Sequence, residues 1–133
     1  MMKNKITKSE QEWKQTLTDK EFYVLRKKGT ESPFSGKYVH QKENGVYVCA
    51  GCGNELFSSE VKYDSGSGWP SFWKPLSEEN IEVKSETTLG MRRIEAVCSR
   101  CGSHLGHVFN DGPQPTGKRF CINSASLRFQ KKE

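Results

Sequence analysis

The pattern of apolar and polar positions divides the chain into a helical start and a strand-rich remainder. Ser9 with Glu12, and Thr18 with Glu21, each match the capping box. In that motif a hydroxyl and a glutamate three residues later satisfy free backbone donors at a helix start. The pattern therefore predicts two short helices near the N-terminus.

The second predicted helix has an apolar face and a signal for its end. Phe22 and Leu25 are three residues apart, which places them on one side of a helix. Gly29 follows, and glycine is a natural residue at a helix C-terminus. Beyond it, Pro33 and Gly36 indicate a loop.

From residue 37 onward the composition changes from helix formers to strand formers. Asn44 and Gly45 predict a tight hairpin turn between a strand at 38–39 and a strand at 46–48 that continues into Cys49. Further predicted strands lie at 81–83, 94–97, 107–109 and 119–129, with turn-rich segments at 64–68 and 111–115. The predicted fold is mainly β, with loops long enough to carry a site.

Length and composition limit the kind of core that this pattern can build. The chain has 133 residues, of which 33% are apolar, and its mean hydropathy is -0.79. This length suits one domain, which we expect over 9–131 after an N-terminal tail at 1–8. Because the composition is lean in core material, another stabilising element is expected. No apolar run has the length of a membrane span or a signal peptide, so we expect a soluble, cytoplasmic protein without a membrane partner.

One motif, C-x-x-C-G-x-x-L, occurs twice, at 49–56 and at 98–105. The two-residue spacer lets both thiolates of a turn face one centre, and the following glycine permits the backbone dihedrals of such a turn. We call these two segments the knuckles. They predict one zinc ion, held by Cys49, Cys52, Cys98 and Cys101. Four thiolates leave no position for water or substrate, so the zinc should be structural and should stabilise the fold.

Two disulfides or a redox-active pair are the alternatives to zinc. A duplicated knuckle in a chain expected in a reducing compartment favours zinc. The stretch between the knuckles is longer than in a simple zinc ribbon and has room for functional loops.

Cys121 is then the only cysteine outside the knuckles. The polar and apolar side chains around it alternate, so a strand would place Arg119, Cys121 and Asn123 on one face and Phe120 and Ile122 on the other. A lone cysteine is more often an inert core residue. An arginine beside it stabilises the reactive thiolate, however, so Cys121 is a candidate nucleophile.

His104, His107 and Asp111 follow the second knuckle. Either histidine could be an ordinary surface or core residue, as we expect for His40. Near a free thiol, His107 and Asp111 are candidate acid and base groups.

The segment 66–73 places three aromatic residues, Trp69, Phe72 and Trp73, on a predicted loop. They could cover a small core. Alternatively, they could form a pocket for an apolar or sulfur-bearing group, because thioethers pack well against aromatic rings.

The net charge of +5 raises a second class of function, a zinc-ribbon module that binds nucleic acid or a protein. The lysines and arginines are dispersed, and no basic stripe is interleaved with aromatic residues. That class also leaves the Arg119–Cys121–Asn123 face unexplained. We therefore expect no nucleic-acid partner.

Between residues 9 and 129 the chain resembles the type B methionine sulfoxide reductases, the methionine-R-sulfoxide reductase family. The resemblance rests on several spaced motifs: Gly29-Thr30-Glu31, Pro33-Phe34-Ser35-Gly36, both knuckles, Gly68-Trp69-Pro70-Ser71-Phe72, His104-Leu105-Gly106-His107-Val108-Phe109, Asp111-Gly112-Pro113 and Arg119-Phe120-Cys121-Ile122-Asn123.

The resemblance implies a fold of twisted antiparallel β-sheets with a zinc opposite the active site. It implies an oxidoreductase that reduces the R epimer of methionine sulfoxide, either in peptides or as the free amino acid, and so repairs oxidised proteins. Cys121 would attack the sulfoxide and become a sulfenic acid, which thioredoxin or another thiol would reduce.

The resemblance also implies roles for other residues. His104, His107, Asp111 and Asn123 would bind and protonate the sulfoxide oxygen, directly or through water. Arg119 would keep Cys121 ionised, Trp69 would receive the S-methyl group, and Phe72 and Phe109 would line the substrate site. Many family members carry a recycling cysteine where this chain has Ser67, which puts an internal disulfide in doubt.

Overall fold

The computed structural model describes residues 6–88 and 90–131 and confirms the two N-terminal helices. Helix α1 spans Glu10–Thr16 and helix α2 spans Asp19–Lys27. Both capping boxes are formed: the Ser9 hydroxyl accepts from the Glu12 amide at 3.2 Å, and the Glu12 carboxylate accepts from the Ser9 amide at 3.0 Å. The same reciprocal pair joins Thr18 and Glu21.

Helix α2 ends at Lys27, two residues before Gly29, and Lys28 is its C-terminal cap. Lys28, not Gly29, takes the left-handed conformation, with φ of 57°. A Cβ at Gly29 would lie 2.2 Å from the Tyr23 ring, so a larger residue there would require this exposed ring to move. Gly29 therefore marks the end of the helix as predicted, but the residue with the left-handed conformation is Lys28.

Within the described residues nine strands follow, and every pair among them is antiparallel. They are β1 Gly45–Cys49, β2 Glu55–Ser58, β3 Lys62–Tyr63, β4 Ser71–Phe72, β5 Ile81–Thr88, β6 Met91–Cys98, β7 His104–Phe109, β8 Arg119–Ile122 and β9 Leu127–Lys131. They form a three-stranded sheet in the order β2-β1-β9 and a six-stranded sheet in the order β3-β4-β8-β7-β6-β5. The predicted mainly β class is confirmed.

Three of the predicted β features are wrong. Residues 38–39 form a turn, because the Tyr38 amide donates to the Ser124 hydroxyl and has no ladder partner. Asn44 and Gly45 are not a hairpin turn, since Gly45 opens β1 and pairs with Lys131 of β9. The single strand at 119–129 is two strands, separated by a 3₁₀ turn at Ser124–Ser126, because β8 and β9 belong to different sheets.

An aromatic cluster joins the two sheets. Phe57 and Phe72 stack with ring centroids 4.2 Å apart, and the Tyr47 and Phe120 rings pack at 5.2 Å from Phe72 and 5.8 Å from Phe57, respectively. Tyr47 and Phe57 come from the small sheet, and Phe72 and Phe120 from the large one. Burial of each such side chain stabilises the folded state by about 1.5–3 kcal/mol. This cluster therefore holds the two sheets against each other.

The helices cover the second knuckle. Trp13 of α1 is buried, and the guanidinium of Arg26 lies 4.7 Å from its ring centroid. Arg26 also donates to the Cys101 carbonyl at 2.9 Å. Of the predicted N-terminal tail, residues 1–5 lie outside the described part of the chain, and the Ile6 amide donates to the Arg100 carbonyl at 2.7 Å. Among the described residues, neither helix approaches the length and apolar character needed to span a bilayer.

Candidate functional site

Both knuckles are tight turns between two strands, as the sequence predicted. Strand β1 ends at Cys49 and β2 follows the first knuckle, while β6 ends at Cys98 and β7 follows the second. The same hydrogen bond closes each turn: the Gly53 amide donates to the Cys49 carbonyl and the Gly102 amide to the Cys98 carbonyl, both at 2.8 Å. Both glycines have a positive φ, 79° and 74°, which explains why glycine follows the second cysteine of each knuckle.

The four knuckle sulfurs form one cluster. The Sγ atoms of Cys49 and Cys101 are 3.7 Å apart, those of Cys52 and Cys98 are 3.6 Å apart, and all four lie within 4.8 Å of one another. Four sulfurs at the zinc–thiolate distance of about 2.3 Å, arranged as a tetrahedron, would be about 3.8 Å apart. A disulfide needs about 2.0 Å. The cluster can therefore hold one metal ion, and its dimensions match zinc.

The four thiols of the cluster share their protons unequally. Hydrogen bonds with Cys101 raise the pKa of Cys49 and of Cys52 well above the ordinary value of a thiol. Hydrogen bonds from Cys101 and the other two thiols hold the pKa of Cys98 far below its ordinary range, and Cys49 and Cys52 lower the pKa of Cys101 to about 7. Zinc binds cysteine as the thiolate, so ligation by all four residues would release the protons that Cys49 and Cys52 retain.

A row of polar residues crosses the large sheet and contains Cys121. Direct register partners run from β4 to β5 in the order Ser71, Cys121, His107, Glu95 and Lys84. Residues directly opposite each other in antiparallel strands face the same side of a sheet. We call this set the polar row. The other side of the sheet carries the core residues, so the site is a polar surface backed by the aromatic cluster.

The thiol of Cys121 is partly buried on this face. Its Sγ lies 4.0 Å from the Ser67 hydroxyl. Burial raises the pKa of the Cys121 thiol above its ordinary value, while the Ser67 hydrogen bond and the charge of Arg119 act to lower it. Arg119 thus lowers the pKa of Cys121, as predicted, but burial raises it by more, and the net pKa lies above that of an ordinary thiol.

Arg119 is held in place by two neighbours. It donates to both carboxylate oxygens of Asp111, from Nε at 2.9 Å and from Nη2 at 3.2 Å, and its guanidinium lies 4.4 Å from the Phe109 ring centroid. The Arg119 hydrogen bond holds the pKa of Asp111 below its usual range. Asp111 is therefore an ionised anchor for Arg119 and a poor proton donor, and Phe109 supports the same guanidinium.

His104 and His107 lie together, with ring centroids 5.4 Å apart in an edge-to-face arrangement. Each is bonded to a glutamate that the sequence analysis did not identify. His104 Nδ1 lies 2.6 Å from Glu95 Oε2, and His107 Nε2 lies 2.8 Å from Glu86 Oε2. A signal for Glu95 was present, since it interrupts an otherwise apolar run in β6.

Asn123 serves the backbone of the site. Its amide donates to the Leu105 carbonyl at 3.1 Å and its Oδ1 accepts from the Glu31 amide at 3.1 Å. Both ends of this buried amide are therefore engaged, and the structure gives Asn123 a supporting position. The carboxylate of Glu31 in turn accepts from the amides of Ser124 and Ala125 at 2.7 and 3.1 Å.

The three aromatic residues of 66–73 have different positions. Trp69 is half-buried, and its indole N–H donates to the Glu31 carbonyl at 3.0 Å, which leaves part of the ring accessible. Phe72 does not line the site as the resemblance implied. It pairs with Phe120 on the face of the sheet opposite Cys121, and it is fully buried in the core. Trp73 also packs against the core.

Comparison with known proteins gives consistent matches. The SelR domain model matches residues 17–131. Peptide methionine sulfoxide reductase MsrB of Methanosarcina mazei is 58% identical over 133 residues, which are all of this chain and 95% of that protein. The MsrB of Hahella chejuensis is 60% identical over 126 residues, covering 95% of this chain and 91% of the relative. Mitochondrial methionine-R-sulfoxide reductase B3 of Mus musculus is 54% identical over 125 residues, 94% of this chain and 49% of that protein.

Proposed function

The chain belongs to the SelR-domain family of methionine-R-sulfoxide reductases and is a peptide-methionine (R)-S-oxide reductase, and we propose that Cys121 is its nucleophile. The observation that carries this proposal is the polar row, in which Cys121 is the direct register partner of His107. A thiol, an imidazole and an arginine on one face are the groups that oxygen transfer to a thiol requires.

The reaction transfers one oxygen atom. The Cys121 thiolate attacks the sulfoxide sulfur, and a proton from the site is delivered to the sulfoxide oxygen. The sulfur–oxygen bond of the substrate breaks and one forms on Cys121, giving methionine and a sulfenic acid. The substrate sulfur gains two electrons, and the Cys121 sulfur loses them.

In this proposal His107 supplies the proton. His107 is directly opposite Cys121 on the neighbouring strand, and its Nε2 is hydrogen-bonded to Glu86. Asp111 stays ionised against Arg119, so it does not compete for this role. Arg119, anchored by Asp111 and Phe109, stabilises the Cys121 thiolate as it forms.

Trp69 binds the S-methyl group of the substrate. Its ring is partly accessible, and its indole N–H is already bonded to Glu31, so the exposed part of the ring offers an apolar surface. Methyl and thioether groups pack favourably on such a surface.

An external thiol completes the cycle. The four other cysteines lie in the knuckle cluster, where we propose one structural zinc ion. Ser67 occupies the position 4.0 Å from the Cys121 sulfur. Thioredoxin or another thiol would therefore reduce the sulfenic acid directly, and the protein would act in the cytoplasm to repair oxidised proteins.

The test is an assay of racemic methionine sulfoxide, free and in a peptide, with dithiothreitol as reductant and chiral separation of the residual substrate. We expect loss of the R epimer alone. Equal consumption of both epimers would contradict the proposal. The Cys121→Ser variant should lose turnover while its circular dichroism spectrum and metal content stay unchanged.

A further inference from the structure

Glu95 is a buried carboxylate whose two oxygens both have partners. It is 2% exposed, its Oε2 lies 2.6 Å from His104 Nδ1, and its Oε1 lies 3.3 Å from Lys28 Nζ. A carboxylate removed from water persists as an anion when it is paired and hydrogen-bonded in this way.

This contact determines where His104 carries its hydrogen. An ionised carboxylate only accepts, so the hydrogen in the Glu95 bond belongs to His104 Nδ1. Burial lowers the pKa of His104, although Glu95 acts in the opposite direction. A neutral ring with its hydrogen on Nδ1 leaves Nε2 as a bare acceptor.

Nothing within residues 6–88 and 90–131 satisfies that acceptor. His104 is 2% exposed, and its Nε2 is buried without a hydrogen-bond partner. An unpaired buried acceptor is costly, and ordered water commonly fills such positions. A cavity of about 130 Å³, bordered by Glu95, His104 and Lys28 among others, lies beside the same pair and has room for water.

We propose that Glu95 is a positioning residue that fixes His104 as the Nδ1-protonated tautomer, so that His104 Nε2 accepts a hydrogen bond from a water molecule in the site. The consequence for catalysis rests on the proposed function. A sulfoxide oxygen accepts hydrogen bonds and so does this Nε2, so the two cannot bond directly. One water between them can donate a hydrogen to each.

The tautomer can be observed directly in the wild-type enzyme. The chain contains three histidines, so a two-bond ¹H–¹⁵N correlation spectrum of histidine-labelled, zinc-loaded protein is simple. A His104→Asn spectrum assigns the ring. At pH 7.5 we expect His104 to be protonated at Nδ1 and bare at Nε2. A hydrogen on Nε2, in either the neutral or the charged ring, would overturn the assignment.

Substitution of Glu95 tests its causal role. In Glu95→Gln, Lys28 attracts the amide oxygen, which turns the amide N–H₂ toward His104 Nδ1 and should move the ring hydrogen to Nε2. We expect kcat to fall about 10- to 100-fold, the range for loss of a group that orients a functional imidazole, with KM changed less than about threefold. Glu43→Gln, which removes a surface carboxylate 3.4 Å from Lys131, should keep both tautomer and kcat.

The outcomes separate this inference from the proposed function. A folded Glu95→Gln protein that keeps the Nδ1-protonated tautomer, or that switches tautomer without loss of kcat, would contradict the role of Glu95. If the variant does not fold, the wild-type spectrum still decides the tautomer. Wild-type protein with the expected tautomer and no turnover of the R epimer would contradict the proposed function alone.

Discussion

At the scale of single residues, the chemistry of Cys121 depends on a balance between burial and one arginine. Burial raises the pKa of the thiol, and Arg119 opposes it. Because Asp111 and Phe109 fix the guanidinium, little entropy is lost when Arg119 stabilises the thiolate.

This balance predicts the pH dependence of alkylation. A raised pKa means that the thiolate fraction of Cys121 keeps increasing with pH beyond the range of an ordinary thiol. The rate of reaction with iodoacetamide, followed at Cys121 by mass spectrometry, should therefore continue to rise above pH 8.5. Arg119→Met should shift the profile to higher pH and slow alkylation at pH 8 several-fold, while Arg92→Met, on the exposed part of β6, should leave it unchanged. A plateau below pH 7 would contradict this account.

Trp69 is predicted to act on substrate and not on the thiol. Trp69→Ala removes the apolar surface for the methyl group, so kcat/KM should fall roughly 10- to 100-fold, the equivalent of burying one large apolar side chain. Trp69→Phe keeps an aromatic ring and should therefore have a higher kcat/KM than Trp69→Ala. Alkylation of Cys121 in the free protein serves as the control and should be unaffected by either change.

At the scale of secondary structure, the site is built where strands from distant parts of the sequence become neighbours. The short strand β4 brings Ser71 beside Cys121, and the loop before it brings Ser67 within 4.0 Å of the thiol. Ser65, Ser67 and Ser71 are linked through hydroxyl contacts of 2.8 and 2.7 Å. This loop therefore has a defined geometry against Cys121.

That geometry predicts the behaviour of Ser67→Cys. The introduced sulfur would replace a hydroxyl that already lies close to Cys121, so the sulfenic acid should condense with it after one turnover. We expect an internal disulfide that contains Cys121 and faster recycling by thioredoxin. The matched variant is Ser65→Cys. The Ser65 hydroxyl contacts those of Ser67 and Ser71, while Ser67 contacts the Cys121 sulfur, so Ser65→Cys should form the bond more slowly. Equal disulfide yields in both variants would argue against a fixed loop.

Sequence patterns predicted the local features of this fold and missed the long-range ones. Both capping boxes and both knuckles depend on residues within a few positions, so they could be read directly. The strands β2, β3 and β4 have two to four residues, too few for a periodic pattern. Residues 38–39 were predicted as a strand because tyrosine and valine favour strands, but the Tyr38 amide bonds to Ser124 across the molecule.

For the candidate site too, the sequence predicted the features that depend on residue type and missed those that depend on strand pairing. Cys121, His104 and His107 were identified from residue type and from the resemblance. Glu86 and Glu95 were not, because their importance depends on the register of β5, β6 and β7. Phe72 was placed in the site from its motif, yet its register with Phe120 turns it into the core.

At the scale of the whole molecule, the knuckle cluster and Cys121 lie in separate places. Cys98 and Glu95 are three residues apart along β6, a distance of about 10 Å. Glu95 and Cys121 are two strands apart in the same row, which is about 10 Å across the sheet. The knuckles fasten the ends of both sheets, while α1 and α2 cover the second knuckle. Zinc is therefore expected to act on stability and not on the chemistry.

Cys98→Ser tests this separation. Zinc binding by four thiolates is worth about 10 kcal/mol or more of folding free energy, so loss of one ligand should lower the urea midpoint strongly and reduce zinc to well below one per chain. Elemental analysis and urea unfolding measure both effects. Cys121→Ser is the control, with one zinc and a wild-type midpoint. Zinc near zero in the wild-type protein, with the knuckle cysteines in disulfides, would contradict the metal site.

The central claim is that oxygen passes from the substrate to Cys121, and a single turnover tests it most directly. Enzyme is mixed with the R epimer without reductant, methionine release is measured, and dimedone then traps sulfenic acid for mapping by mass spectrometry. The account predicts about one methionine per chain, a dimedone adduct on Cys121, and retained zinc, because the remaining cysteines are held in the knuckle cluster. Methionine release with an internal disulfide between Cys121 and a knuckle cysteine, or with no modification of Cys121, would contradict it.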